Sequence, residues 1–319
     1  MIYIWDCDLG PQNQRMKEMK ENIRYDNHEE EWDRCINDSE RSKVAATWLA
    51  QEETLDRWRH ERMYKLLKPI IEHDPNRAWL TVGDGRYGTD ANALIRLGAN
   101  RVMCTDISDK LLKLGNEAGF IADYSAQNAE ALTFDADSYD FVLCKEAYHH
   151  FPRPHIALHE MLRVARVGVV LMEPNDSHAE SRLLNRFIHL IKNMLGRNAN
   201  ASGHGFEPVG NYVFSTSKRE FEKVQLGMHR RFIAFKEIND YYQAGFEFIP
   251  LNGKKREDRS TIRKAKVLLN LRNLLSKLGL VSSSVLVSIL FKGDPDNSLL
   301  LRLAENGWEV KELPKNPFL

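Results

Sequence analysis

Cysteine is scarce in these 319 residues: Cys7, Cys35, Cys104 and Cys144 stand far apart, with no C-x-x-C pair. That scatter argues against a zinc site and a disulfide framework, and fits a reducing cytoplasm. Neither charge is in surplus, since 45 Lys and Arg balance 45 Asp and Glu. Bulk electrostatics therefore give no expectation of a nucleic-acid partner. Long apolar runs are missing too. The most apolar late stretch, VLVSILF at Val285–Phe291, is far too short to span a bilayer. The opening MIYIWDCDLG lacks the basic-then-apolar order of a secretory signal. No repeat or low-complexity tract is found. No metal cluster stands out: His149, His150, His155 and His159 are close in sequence, but adjacent histidines on a turn seldom converge on one ion. The expectation is a soluble cytoplasmic protein of ordinary composition, 43% hydrophobic and 28% charged, able to bury a substantial core.

What is present falls into two textures. Residues 13 to about 75 read as helical, and 17–40 are acidic, with nine Asp or Glu against four Lys or Arg. Such a run is a solvated helix face, or else a lid or partner-binding arm. The expected division is a helical arm over 1–75 and a main domain over 76–319. From Trp79 short apolar runs alternate with amphipathic helices. AWLTV, RVMCTD, YDFVLC and VGVVLMEP read as strands. TDANALIRLGA is a helix with Ala91, Leu94, Ile95 and Gly98 on one face; SDKLLKLGNEAG is a second, with Ser108 as its N-cap; PHIALHEMLRVA is a third. Strand–helix alternation means a parallel sheet built from right-handed crossovers. Residues 177–280 carry additions after the fifth strand: a helix in SRLLNRFIHLIKNML, a long Gly- and Asn-rich loop, then KREFEKVQLG as helix and RFIAFKEI as strand. SSVLVSILFKG returns as a buried strand.

The chemistry starts in TVGDGRYGTD, where Gly83, Gly85 and Gly88 form G-x-G-x-x-G behind the first strand. Glycines let the chain approach a ligand closely, and the next helix presents free N–H groups and a positive dipole end. Asp106 closes the following strand, 18 residues after Gly88. Two carboxylate oxygens there suit the vicinal hydroxyls of a ribose. A dinucleotide, a sulfonium-bearing nucleoside and an empty strand-to-helix turn all satisfy this much.

The next hundred residues discriminate. They contain Asn128-Ala129-Glu130-Ala131-Leu132-Thr133-Phe134, Ser138-Tyr139-Asp140-Phe141-Val142, Tyr148-His149-His150 and Glu173-Pro174, in that order. This set, over residues 76–176, resembles the class I S-adenosylmethionine-dependent methyltransferases, particularly their small-molecule group. The resemblance implies an α/β, Rossmann-like, seven-stranded and mostly parallel sheet with one antiparallel strand. It implies that Gly83, Asp84 and Gly85 line the methionine and ribose, with Gly88 completing the loop. Asp106 would bind the ribose hydroxyls, Ile107 would pack on the adenine, and Asn128 would meet the adenine amino group with Ala129 beside it. Cys144 and Lys145 would lie beside the methionine. Two departures stand out: Arg86 and Tyr87 lengthen the family's G-x-G-x-G loop by one residue, and Thr81 replaces its usual acid.

Methyl transfer is an in-line displacement, so the protein must hold the acceptor and exclude water. A base is needed only when the acceptor arrives protonated, and histidine suits that work. His149 and His150 are the candidates, with Glu146 and Tyr148 shaping the pocket. Glu207, Asn211 and Tyr212 are the polar groups expected at the acceptor. Residues 251–280 carry nine Lys or Arg against Glu257 and Asp258. The segment 254–277 reads as an amphipathic helix that packs on the core. It could also attract an anionic acceptor, lie on a membrane surface, or meet the acidic arm of the same or another subunit in a homo-oligomer. The expected activity is methylation of a small molecule, a sugar, glycan or lipid-linked acceptor. The alternatives are an NAD-dependent oxidoreductase and a cofactor-binding protein without turnover.

Overall fold

A computed structural model describes residues 25, 27, 29, 30, 36, 38–50, 52–177, 179, 205–207 and 210–318. The expected helix at SRLLNRFIHLIKNML, and most of the acidic stretch before it in the chain, lie outside them. Residues 25, 27, 29, 30 and 36 are helical, and the first helices whose bounds are described are α1 (Ser39–Leu49) and α2 (Leu55–Tyr64), followed by a short α3 (Lys68–Ile71). The alternating region follows as β1 (Ala78–Val82), α4 (Thr89–Arg96), β2 (Arg101–Asp106), α5 (Lys110–Glu117), β3 (Asp123–Ala126), β4 (Tyr139–Lys145), α6 (Pro154–Val164) and β5 (Ala165–Pro174). A small hairpin, β6 (Gly205–Phe206) with β7 (Tyr212–Val213), precedes α7 (Lys218–Gly227) and β8 (Phe232–Ile238). The chain closes with α8 (Arg256–Lys277), β9 (Val285–Phe291), α9 (Asn297–Glu305) and β10 (Glu309–Glu312).

Among the described residues the main sheet has eight strands in the order β10-β8-β9-β5-β4-β1-β2-β3. This corrects the expectation of seven strands with one antiparallel member. β9 runs against both β5 and β8, and β10 runs against β8. The added strand lies in WEVKE, where four residues pair with the open edge of β8 while Trp308 is buried beside them. Ladder bonds at a free edge recruited a segment whose own pattern is mostly polar. Two smaller expectations also change. Asp109, not Ser108, occupies the N-cap of α5. The buried face of α4 centres on Asp90, Ala91 and Leu94, which leaves Ile95 at its margin, 40% exposed.

Strand periodicity divides the core into two layers. Leu80, Val82, Val142, Cys144, Val169 and Leu171 face one side, where α6 and α7 cover them with Leu158, Met161 and Phe221. Trp79, Phe141, Leu143, Val170 and Met172 face the other, against Met63, Leu67, Ile70, Leu299 and Leu303. The region before β1 thus contributes to the same core as the sheet. Loops after β1, β2 and β4 meet at one rim of the sheet, where ligands bind in open α/β folds.

Candidate active site

β1 delivers the chain into the glycine loop through Gly83, whose φ is +76°. A Cβ there would stand 2.5 Å from Cβ of Ala147 on the loop after β4, so only glycine fits. Asp84 then turns its carboxylate inward. Its oxygens accept the N–H groups of Asp90 (2.9 Å) and Ala91 (2.8 Å), capping α4 from outside the helix while Gly88 stands at the N-cap with no side chain to offer. Thr81 Oγ1 donates to the same carboxylate at 3.0 Å. The threonine that replaces the family's acid therefore steadies the loop. Burial, then the neighbouring Asp90, raise the Asp84 carboxyl well above the ordinary range.

These loops enclose a cavity of about 570 Å³ lined, on the sheet side, by Gly83, Asp84, Gly85, Asp106, Ile107, Asn128 and Ala129. Asp106 is buried; its Oδ1 accepts a long bond from the N–H of Ser108, 3.3 Å, and the backbone N–H groups of Ile107 and Gly85 also face its carboxylate. Burial pushes its carboxyl up to about 7 against the opposing pull of backbone N–H groups. No cation pairs with it among the described residues. Asn128 Oδ1 takes the N–H of Glu130 at 2.9 Å, which fixes its amide at the cavity edge. Glu130 in turn holds Arg153 and accepts the hydroxyl of Tyr25 at 2.7 Å, which brings Tyr25 onto the rim.

The opposite wall comes largely from α1 and α2, and nothing in the sequence spacing announced it. Trp48, Asp56, Arg59, His60 and Tyr64 all line the cavity. Lys145 Nζ lies 2.8 Å from His60 Nδ1 and 2.8 Å from Glu146 Oε2. A lysine ammonium can only donate, so His60 accepts at Nδ1 and is neutral. Burial and then Lys145 hold its imidazolium well below the usual range. Burial would raise Glu146, but the Lys145 ammonium outweighs it and holds that carboxyl well below the ordinary range. Tyr64 donates to Asp90, and Arg59 is clamped between Asp56 and Asp240.

The two histidines after β4 have different surroundings. His149 is buried, and its Nδ1 pairs with Glu173, whose other oxygen accepts the N–H of Tyr148 at 3.1 Å. Desolvation opposes charge on His149, yet Glu173 prevails and raises its imidazolium above the ordinary value. His150 lines the cavity, with Nδ1 2.9 Å from Glu207 Oε2. Asn211 lies behind this pair, donating to His150 O at 2.7 Å and to Glu207 at 3.0 Å. Tyr148 is fully buried against Phe151, Phe214 and Phe221. Tyr212 packs on Phe206 at the surface, half exposed. Cys144 is buried in the sheet, and Gly88 sits under the loop against Ile121. Of the expected site residues, Gly88, Cys144, Tyr148, His149, Asn211 and Tyr212 do not line the cavity.

The sequence profile of a methyltransferase domain matches residues 80–172, the span that carries every loop on the sheet side of this cavity. Residues 80–172 are a methyltransferase domain. The chain is also 28% identical over 130 residues to mitochondrial 2-methoxy-6-polyprenyl-1,4-benzoquinol methylase of Gallus gallus, covering 39% of this chain and 41% of that protein. Thus the matched part spans about two fifths of that relative's length. Among solved structures, YcgJ of Bacillus subtilis is similar at 19% identity, over 74% of this chain and 99% of that one, with a TM-score of 0.43. Magnesium protoporphyrin IX methyltransferase of Synechocystis PCC 6803, with bound SAH, is similar at 16% identity over 55% and 75%, with a TM-score of 0.40. The nicotinamide alternative receives no support from these matches.

S-adenosylmethionine is the cofactor of such a methyltransferase domain, and the crevice fits it on its own terms. Asp106 is a buried carboxylate with backbone N–H donors but no counter-ion among the described residues, and a ribose diol offers two further donors. The glycine at 83 keeps backbone close to the cavity where a side chain would collide with Ala147.

Proposed function

We propose that this chain methylates a small-molecule acceptor, at an oxygen presented to His150. The observation that carries this reading is the His150–Glu207 pair on the wall of the cavity that Asp106 also lines. When bound, S-adenosylmethionine supplies a methyl group already activated on a sulfonium. The chain's task is to position the acceptor and take its proton. In the neutral tautomer that donates Nδ1–H to the Glu207 carboxylate, Nε2 of His150 carries the lone pair that would accept a proton from a hydroxyl. Glu207 then stabilises the imidazolium that forms, and its own carboxyl is held below the ordinary range by His150 after burial, which acts the other way. Asn211 keeps Glu207 aimed at the ring.

For the acceptor we favour a hydroxylated ring on a lipid-linked molecule over a free glycan. Trp48, Phe151 and Tyr242 give the cavity aromatic walls, and the chicken relative is named for a polyprenyl-bearing ring. A cytoplasmic setting belongs to the same reading, supported by free, buried thiols at Cys104 and Cys144. Among the described residues no helix is long and apolar enough to cross a membrane.

The test is His150→Ala assayed for turnover with phenolic and lipid-linked acceptors, alongside calorimetric binding of S-adenosylhomocysteine. Turnover should fall by on the order of 10²-fold or more while product binding holds. Full turnover in that variant ends the general-base assignment, and failure of the wild type to bind S-adenosylhomocysteine ends the whole reading.

A further inference from the structure

Helix α8 presents two faces of different character. Its inner face, Ile262, Ala265 and Leu269, is buried, and the first two pack on Leu55 and Phe246. Its outer face carries Val267, Leu271, Leu274 and Leu278, at i, i+4, i+7 and i+11, which one helical stripe brings into line. Those four side chains are 57%, 50%, 53% and 62% exposed, and Leu280 just beyond is 42% exposed. Single exposed leucines are ordinary, but a continuous stripe over three turns is not. Exposed cations flank and precede the stripe: Arg256, Arg259, Arg263, Lys264, Lys266 and Lys277. The only acids on the helix, Glu257 and Asp258, sit in its first turn, where the helix dipole favours them.

We propose that this outer face of α8 docks the protein on an anionic lipid bilayer, with the apolar stripe entering the headgroup boundary and the cations meeting lipid phosphates. A 22-residue helix of this pattern lies in the interface plane and does not cross it. Charge decides against the other occupants. A second copy of the helix would bring like charges together around the stripe. A nucleic acid would satisfy the cations but leave four aliphatic side chains with nothing to bury them. Tyr25, from the acidic stretch, bonds Glu130 and Arg153 at the cavity rim. Docking would also bring the site to the lipid, because Phe246 under α8 is followed by Glu247, a residue of the cavity wall. The proposal stands on the helix and does not depend on which acceptor is methylated.

Co-sedimentation of the full chain with vesicles tests it, comparing pure phosphatidylcholine with phosphatidylcholine containing about a third phosphatidylserine. Binding is expected only to the anionic vesicles, weakening severalfold from 0.05 to 0.5 M salt. The double variant Leu271→Gln with Leu274→Gln, which changes only exposed positions, should lower binding by on the order of tenfold or more. Its thermal melt and S-adenosylhomocysteine binding should match the wild type. Absence of vesicle binding overturns the proposal. So does binding that the double variant leaves unchanged, equal affinity of both proteins for heparin without vesicle binding, or a concentration-dependent dimer that the double variant dissolves.

Discussion

Removing the Asp106 charge should stabilise the empty protein and disable it together. In the folded chain burial holds this carboxyl at about 7, against an ordinary value of 3.8. The folded state therefore keeps a proton between pH 4 and 7 that the unfolded state has released. Stability falls with rising pH wherever the native state binds more protons, so the loss builds across that window and levels off above it. Three pH units at about 1.4 kcal/mol each make the penalty roughly 4 kcal/mol at pH 8. Asp106→Asn keeps the shape and one acceptor oxygen but carries no charge to desolvate. Denaturant unfolding of the ligand-free proteins should show the variant more stable by about 2–4 kcal/mol at pH 8, with the gap closing towards pH 4.5. Binding of S-adenosylhomocysteine should move oppositely, weakening by about 10²-fold at pH 8 as charge-assisted bonds to the ribose are lost. In the wild type, ribose donors favour the ionised carboxylate, so product binding should release a proton near pH 6.5 and tighten as pH rises to 7. Equal stabilities at pH 8 and pH 4.5, or undiminished binding by the variant, would refute the assignment of Asp106 as a charge awaiting its ligand.

Two further outcomes follow from the geometry. Gly83→Ala forces a left-handed backbone angle and a 2.5 Å approach to Ala147, so melting should show a loss of about 1–3 kcal/mol with weakened S-adenosylhomocysteine binding in calorimetry. His149→Gln breaks a buried ion pair with Glu173 and should cost about 3 kcal/mol at pH 6. Because the folded imidazolium lies above its ordinary 6.5, the stabilisation is full below that value and fades as pH climbs through the folded pKa. Stability curves of wild type and variant should therefore converge towards pH 9.

The sheet was legible because its strands are buried on both faces: AWLTV and VLVSILF are wholly buried, and continuous apolar runs bounded by glycine or charge have few other uses. β10 was not legible. Glu309, Val310, Lys311 and Glu312 become a strand only because β8 leaves an edge to pair with, and the identity of that edge is a property of the assembled sheet. The same limit applied to the site. Gly83 and Asp106 announce themselves through their position at strand ends, whereas His149 and His150 are adjacent and chemically identical in the sequence. Both lie in one short helical turn, Tyr148–His150, which sends the first into Glu173 and the second to the cavity beside Glu207. Trp48, Arg59 and His60 precede the glycine loop by more than twenty residues, and no motif connects them to it.

That distant contribution bears on how the cavity is entered. The polar groups of α2 pair across to residues from β1 onward at several places, among them Arg59 to Asp240, His60 to Lys145, Glu61 to Arg96, Arg62 to Asn239 and Tyr64 to Asp90. Leu55, Met63 and Tyr64 are themselves buried. Lifting α2 would strip partners from Lys145 and Asp90 inside a low-dielectric site, at about 1–3 kcal/mol for each group left unsatisfied, besides uncovering those apolar side chains. Together that is a large share of the 5–15 kcal/mol that holds a whole domain folded. We therefore read α2 as a fixed wall. The other rim is looser, since the side chains of His150 and Glu207 are 41% and 32% exposed. On the proposed reading, an acceptor that enters there would meet Nε2 of His150 on its way to the methyl group, so the route of entry and the choice of base would follow from one arrangement of residues.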